Sequence, residues 1–268
     1  VLGNFIGTDA AGIGQVSNRY EGISIARNCG GTKIGGTNAG DRNVISGNGY
    51  RGIFMHANTG IVIRGNFIGV STNGARLGNG MQGIYMQYCK QIAVGGTNED
   101  ARNVIAGNYI GLEMYFCMSN TVQRNYVGLN EAGAAVSNTW QGVYVEYGGG
   151  HDVSDNILSG NGTRGIELFA TMNCVLKRNG VGTDPSGAAT RGNGEAGLFL
   201  NGGAANNQVG GRWLDEGNVF SGNALYGVVV QDATTVSNVF RGNRVGADAS
   251  GVLALPNDYG FGIYGAAL

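Results

Sequence analysis

The chain has 268 residues, a formal net charge of -1 and only 13% charged residues. This weak charge excludes binding to nucleic acid or to an anionic membrane by bulk electrostatic attraction. No apolar run approaches the ~18 residues of a membrane-spanning helix, and the 52 glycines stand at fixed phases with only two prolines, which excludes collagen and a disordered tract.

One repeat of the chain is visible in residues 52–68. Residues 52–56 alternate apolar and polar side chains, residues 57–60 form a turn, residues 61–64 are apolar again, and Asn66 precedes Phe67-Ile68. Short period-two runs punctuated by Gly and Asn predict β-strands. A helix is disfavoured because each interior glycine costs up to ~1 kcal/mol relative to alanine. The chain is therefore predicted to be almost entirely β.

An asparagine recurs nine times before a short apolar pair, at spacings of 22 to 39 residues. A unit of this size is too small to bury its own apolar face and is typical of a stacked solenoid. Stacked amides can hydrogen-bond to one another because each carries a donor and an acceptor. The ladder asparagines are Asn4, Asn43, Asn66, Asn103, Asn125, Asn156, Asn179, Asn218 and Asn243.

This asparagine ladder resembles that of the pectate-lyase-like superfamily, in which it marks the turn between the second and third sheets. The resemblance covers nearly the whole chain and implies an all-β fold, a right-handed single-stranded parallel β-helix of about eight to nine coils with three short sheets. It implies no single activity, because the superfamily includes lyases, hydrolases, epimerases, phage tailspikes and noncatalytic surface proteins. The signatures of pectate lyases, polygalacturonases and mannuronan epimerases are absent.

The first sheet is predicted from repeats in which a glycine is followed by two inward apolar residues that flank one outward residue. The outward positions mix aromatic and acidic side chains, which a merely solvated face does not require. The predicted outward column is Ser24, Phe54, Tyr85, Glu113, Tyr144, Glu167, Phe199, Val229 and Tyr264, and a parallel column runs Ala26, His56, Gln87, Tyr115, Glu146, Phe169, Asn201 and Gln231. Every second coil also carries an inserted loop, and we expect these loops to form a ridge beside the outward column and so to complete a groove.

Candidate catalytic residues are Glu113 and Glu167, with Glu146 beside them. Two coil steps of ~4.8 Å place the first pair about 9.6 Å apart, close to the ~6.5–9.5 Å of an inverting glycosidase pair. Solubilising glutamates and strand-forming tyrosines are the alternative interpretation. The candidate substrate-binding residues are Phe54, Tyr85, Tyr115, Trp140, Tyr144, Arg164 and Phe199.

No cofactor and no metal site is predicted. His56 and His151 fall on distant coils, and the loop aspartates lack enough acidic neighbours for calcium. Cys89 and Cys117 occupy equivalent places on adjacent coils, so a disulfide and a pair of stacked thiols both remain open.

The sequence leads to one β-helix domain, residues 1–268, belonging to a longer extracellular or cell-surface protein. The predicted function is binding of an extended polysaccharide in the first-sheet groove, with hydrolysis by the glutamate pair. The alternative is a noncatalytic rod in a bacterial adhesin or appendage. Neither nucleic acid nor membrane insertion is expected, and exposed coil ends favour end-to-end self-association.

Overall fold

The computed structural model describes residues 1–265, apart from the side chain of Leu214. These residues form a parallel β-solenoid built from three sheets of nine, nine and eight strands, and every interstrand pair is parallel. Each coil contributes one strand to the first, second and third sheet in turn. The predicted fold class and the resemblance to the pectate-lyase-like superfamily are confirmed.

The first sheet contains the longest strands and carries the candidate site. Its strands are Ile23–Ile25, Ile53–His56, Gln82–Gln87, Ile110–Met118, Val143–Gly149, Arg164–Phe169, Ala196–Asn201, Tyr226–Gln231 and Tyr259–Tyr264. The second-sheet strands are Lys33–Ile34, Val62–Ile63, Ala93–Gly95, Thr121–Gln123, Asp152–Ser154, Val175–Lys177, Gln208–Gly210 and Val239–Arg241. The third-sheet strands are Phe5–Ile6, Val44–Ile45, Phe67–Ile68, Val104–Ile105, Tyr126–Val127, Ile157–Leu158, Gly180–Val181, Val219–Phe220 and Arg244–Val245.

Helical structure in residues 1–265 is limited to three 3-10 turns, Ala39–Asp41, Glu99–Ala101 and Leu214–Glu216. Each turn comes shortly before a ladder asparagine, Asn43, Asn103 or Asn218. Within the described residues, no helix has the length and hydropathy that a membrane span requires.

The core is a set of apolar columns that run along the solenoid axis. Alternate residues of each first-sheet strand point inward, so that Met55, Met86 and Met114 stack on successive coils with no exposed surface. Burial of such side chains is worth about 1.5–3 kcal/mol each relative to exposure. The same alternation places the intervening side chains on the outer face of the sheet.

The nine ladder asparagines stack at the turn between the second and third sheets, as predicted. In each of the first eight, the amide nitrogen donates to the amide oxygen on the next coil, for example Asn103 to Asn125 at 3.0 Å and Asn125 to Asn156 at 3.0 Å. The backbone N–H of each of these eight residues donates to the same oxygen. The ladder therefore satisfies buried polar groups at a bend where regular strand pairing stops.

The inserted loops form a ridge, but its position differs from the prediction. Each loop is a small antiparallel hairpin, such as the one closed by Val70 and Arg76. Val70 packs in an apolar cluster with Phe67 and Val104, which covers the outer face of the third sheet. Arg76 Nη2 of this hairpin donates at 3.3 Å to Oγ1 of Thr139, which lies in the turn before the first-sheet strand Val143–Gly149. Apolar residues on the third sheet's outer face therefore hold the hairpins there.

Candidate functional site

Three glutamates gather on the outer face of the first sheet at the middle of the solenoid. Glu113 pairs in register with Tyr144, and Tyr144 pairs with Glu167 on the next coil. Glu146 lies two residues after Tyr144 in the parallel column, between Tyr115 and Phe169. The three predicted carboxylates therefore lie on three successive coils around Tyr144, and we call Glu113, Glu146 and Glu167 the acidic cluster.

Glu113 is a buried carboxyl group with one strong hydrogen bond. Only 9% of the residue is exposed, and Gln82 Nε2 donates to its Oε2 at 2.7 Å. Burial raises the pKa of Glu113, while the Gln82 hydrogen bond and the positive charge of Arg51 act in the opposite direction. Because removal from water disfavours the charged form, Glu113 keeps its proton to a higher pH than an exposed glutamate.

Glu167 is held in a different environment. It is 4% exposed, its Oε1 lies 2.6 Å from Arg164 Nη1, and its Oε2 accepts from Gln141 Nε2 at 2.7 Å. Asn201 Nδ2 also donates to Oε1, at 3.4 Å. A carboxylate has about four lone-pair sites, so these three contacts leave one acceptor position.

The pKa values of Glu146, Tyr144 and Tyr85 are all raised. Burial and then the charges of Glu113 and Glu167 raise the pKa of Glu146. Burial, followed by the charges of the same cluster, also raises the pKa of Tyr144, and burial followed by the charge of Glu113 raises that of Tyr85 to about 12. Like charges held in a partly dry site account for these shifts. Both tyrosine hydroxyls are therefore donors at neutral pH.

Several predicted stacking rings already have their faces against neighbouring side chains. Phe54 and Tyr85 stack with centroids 5.8 Å apart and planes 12° apart, and the Arg51 guanidinium lies 4.4 Å from the Tyr85 centroid. The Arg164 guanidinium lies 3.8 Å from the Phe199 centroid, and Phe199 is only 6% exposed. Sequence periodicity placed these rings on the correct face, but it does not show which rings remain open to a ligand.

Trp140 is the predicted aromatic that borders a pocket. It stacks on Tyr109 with centroids 5.3 Å apart and is 47% exposed. The pocket has a volume of ≈ 260 Å³ and is lined by Trp140, Gln141, Thr163, Arg164 and Glu195. We call it the Trp140 pocket. It adjoins the acidic cluster because Gln141 and Arg164 also hold Glu167.

The sequence prediction missed an aromatic ribbon at the corner that ends the first-sheet strands. Phe116 stacks between Tyr88 and Tyr147, with centroids 5.5 and 4.6 Å away, and Tyr115 meets Phe116 edge-on at 4.7 Å. Tyr88, Phe116 and Tyr147 have φ values of 53°, 50° and 57°, which is uncommon for bulky residues. The sequence does contain a signal for this ribbon, because Tyr88, Phe116 and Tyr147 each come immediately before an inward-facing Cys or Gly.

Cys89 and Cys117 lie on adjacent coils, as predicted, and both are free thiols. The Cys89 backbone N–H donates to Cys117 Sγ at 3.3 Å. The Cys117 hydrogen bond lowers the pKa of the Cys89 thiol to about 7, and the same contact followed by burial raises that of Cys117. The pair is thus a stacked dithiol.

The described residues offer little to a metal ion. Among residues 1–265, no group of three or more His, Cys, Asp or Glu side chains could hold one. His56 lies on the outer face of the first sheet, where its Nδ1 is 3.2 Å from Gln87 Oε1, whereas His151 is 1% exposed inside the solenoid. The predicted separation of the two histidines is confirmed.

Comparison with solved structures shows the same fold at low sequence identity. The periplasmic alginate epimerase AlgG is 16% identical, with a TM-score of 0.50, over 85% of this chain and 50% of the epimerase. Tailspike protein 2 of the Escherichia coli O157:H7 bacteriophage CAB120 is 13% identical, with a TM-score of 0.51, over 92% of this chain and 37% of the tailspike. The chain thus spans half or less of the length of these proteins.

Comparison with curated proteins gives no match. A family model described as periplasmic copper-binding protein (NosD) matches residues 132–266, which is half of the chain and includes Tyr144, Glu146, Glu167 and the Trp140 pocket. The chain belongs to this NosD family of parallel β-helix proteins.

Proposed function

We propose that the outer face of the first sheet binds an extended polysaccharide and that Glu113 and Glu167 hydrolyse it. The observation that carries the proposal is the burial of two separately anchored glutamates on the outer face of a sheet. Such burial costs free energy, and titratable groups with perturbed pKa values cluster at functional sites. AlgG, which shares the fold, is an epimerase of alginate, a polysaccharide, and this supports the same class of ligand for this chain.

The proposed chemistry assigns different roles to the two glutamates. Protonated Glu113 donates to the glycosidic oxygen as the C–O bond breaks, and Glu167 accepts a proton from the water that attacks the anomeric carbon. The expected spacing of about 9.6 Å leaves room for that water and predicts inversion at the anomeric carbon. The Tyr144 hydroxyl lies between them as a donor to a sugar hydroxyl, and Glu146 adds negative charge near the cationic transition state.

We also propose an envelope location. The NosD family and the epimerase AlgG are both described as periplasmic, which favours the periplasm over the extracellular or cell-surface location predicted from the sequence. Free Cys89 and Cys117 do not decide the compartment, since burial protects both thiols.

Copper has no role in this proposal, although the family description names it. Copper sites use imidazole, thiolate and thioether donors, and the described residues present no set of three His, Cys, Asp or Glu ligands. The buried Cys89–Cys117 dithiol lies at the corner after the first-sheet strands and supplies only two sulfurs. The metal-ligating side chains of residues 1–265 therefore do not form a copper site with three such ligands, and no step of the proposed reaction is assigned to copper.

The test is to measure polysaccharide binding and reducing-end release for Glu113→Gln and Glu167→Gln. Each amide keeps the shape of the side chain but loses proton transfer, so release should fall by about 10²–10⁴-fold while binding is retained. Glu99→Gln is the matched control, because Glu99 lies in a 3-10 turn at another corner with its side chain 77% exposed.

Two outcomes of this test would count against the proposed function, and one of them would favour the alternative, a noncatalytic structural rod. Equal release from both variants and the unchanged chain would remove the catalytic assignment. If no polysaccharide from a broad panel binds at all, the noncatalytic rod becomes the better interpretation, and its uniform asparagine ladder supplies the stiffness.

A further inference from the structure

We infer that the Trp140 pocket is a subsite for one pyranose ring rich in hydrogen-bond donors, neutral or amino, and that it selects against uronates. The inference rests on the proposed polysaccharide binding and specifies the sugar that the face accepts. The inferred sugar differs from alginate, the polysaccharide that AlgG acts on, because alginate consists of uronates.

Two residues that line the pocket carry a buried polar atom without a hydrogen-bond partner. Among the described residues, seven buried side-chain polar atoms lack such a partner; Gln141 Oε1 and Thr163 Oγ1 belong to the pocket lining, and Asn201 Oδ1 belongs to a residue that donates to Glu167. Gln141 is 6% exposed, and its nitrogen is already used by Glu167 at 2.7 Å. Unpaired buried polar groups are costly and rare in folded proteins. Gln141 and Thr163 line the Trp140 pocket, so a small rotation of either side chain would present an acceptor to a bound ring.

Arg164, the charged donor that lines the pocket, is already engaged. Arg164 Nη1 lies 2.6 Å from Glu167, its Nε donates to Glu195 Oε2 at 3.0 Å, and its Nη2 donates to Glu195 Oε1 at 3.3 Å. One guanidinium therefore serves two carboxylates, and Glu113 and Glu146 add further acidic groups nearby. A uronate carboxylate offers only acceptors and negative charge, so it would meet repulsion without a free cation. Sugar hydroxyls or an ammonium group would instead donate to the vacant acceptors.

The size and wall of the pocket fit a single ring. Its volume of ≈ 260 Å³ lies just below the ~300 Å³ lower bound for drug-sized ligands. Trp140 stacks on Tyr109 from the preceding coil, and the next residue in its column is the much smaller Thr163, whose backbone N–H donates to Trp140 O at 3.2 Å. The step from a large to a small side chain opens space beside the indole, where the apolar face of a pyranose can pack.

The first experiment compares the affinity of the full chain for three oligosaccharides of equal length, a neutral hexose oligomer, an amino-sugar oligomer and an oligouronate. We expect the neutral or the amino ligand to bind at least about tenfold more tightly than the oligouronate, since a site built for donors penalises a ligand without them. A preference for the amino oligomer that weakens with salt would assign the contact to an ammonium group. Equal, salt-independent binding of the neutral and amino oligomers would assign it to hydroxyls.

The second experiment uses Thr163→Val, which removes a vacant acceptor at constant shape. We expect sugar binding to weaken by about five- to tenfold while thermal stability is unchanged or higher, because an unpaired buried hydroxyl is lost. Thr183→Val is the matched control, because Thr183 Oγ1 is also buried without a partner but lies in a hairpin over the third sheet. The thermal stability of Thr183→Val should be unchanged or higher, as for Thr163→Val, but its affinity for the sugar should not change.

The outcomes distinguish this inference from the proposed function. Tighter binding of the oligouronate, or equal affinities of Thr163→Val and Thr183→Val, would overturn the subsite while leaving polysaccharide binding in place. If none of the three oligomers nor a broad polysaccharide panel binds, the proposed function fails and the subsite fails with it. Trp140→Ala should weaken binding of every oligomer that uses the pocket.

Discussion

Acidification from about pH 7.5 to about pH 5 should lower the free energy of unfolding by about 2 kcal/mol through His151 alone. This side chain is 1% exposed, and burial lowers its pKa from 6.5 to about 4. Its Nδ1 accepts the Asn120 backbone N–H at 3.2 Å, so a proton on Nδ1 would replace an attraction by a clash of two donors. The unfolded chain binds a proton below about pH 6.5 and the folded chain does not, so this contribution to stability is lost as the pH falls toward 4.

The measurement is urea unfolding at several pH values for the unchanged chain and for His151→Asn. Asparagine is a conservative replacement, because His151 stands in a column with Asn120 and is followed two coils later by Asn207. The variant keeps all other titrating groups, so the difference between the two stability curves isolates His151. Parallel curves between about pH 7.5 and about pH 5 would show that the imidazole is protonated without cost in the folded chain.

The architecture could be predicted because one repeat determines nearly all of it. When the glycines at the start of two neighbouring strands are aligned, the outward residue Glu113 comes opposite Tyr144. The structure shows this pairing. The last coil is an exception. Tyr264 was predicted to follow Val229, but Val229 pairs with Gly262 and Tyr264 pairs with Gln231. The aligned glycine there is Gly260, two residues earlier, and the glycine-rich sequence of this strand gives several equivalent alignments.

A second asparagine column was also missed, although it stabilises the turn between the third and first sheets. Its members are Asn18, Asn48, Asn79, Asn108, Asn138, Asn161, Asn193, Asn223 and Asn257, with side-chain bonds such as Asn48 to Asn79 at 2.8 Å. The recurring Gly-Asn dipeptide was a signal for it. The intervals between these asparagines, 23 to 34 residues, vary less than the 22 to 39 residues of the first ladder, so the column could have been found from the sequence.

The environments of the candidate residues could not be predicted from periodicity. The repeat places Glu113 and Glu167 outward, yet both are nearly covered. Their cover comes from Gln82, Gln141 and Arg164, which lie in a third outward column at the start of the strands. Rotamers and hydrogen bonds between columns decide this burial, and a pattern of residue types contains neither. The same holds for Phe199, whose ring is covered by the Arg164 guanidinium.

Asn125→Ala should lower the free energy of unfolding by about 3 kcal/mol, since it breaks the ladder at the middle of the solenoid. The Asn125 oxygen accepts from the Asn103 backbone N–H at 3.2 Å and from its amide at 3.0 Å. The Asn125 amide donates to Val94 O, Gln123 O and Asn156 Oδ1 at 2.9, 3.1 and 3.0 Å. Asn125 has no exposed surface, so water cannot replace these bonds without opening the turn.

Asn4→Ala is the matched control, because the same amide chemistry occurs there on an exposed residue. Its amide donates to Leu2 O at 2.8 Å and to Asn43 Oδ1 at 3.0 Å; the first contact is exposed to water and the second is partly buried. Its cost should stay within about 0.5 kcal/mol. Urea unfolding of both variants compares them at constant chemistry, and equal small losses would mean that apolar columns such as Met55, Met86 and Met114 hold the coils together without the ladder. A large loss for Asn125 alone would show that buried amides, and not the side-chain stack as such, fix the coil spacing on which the acidic cluster depends.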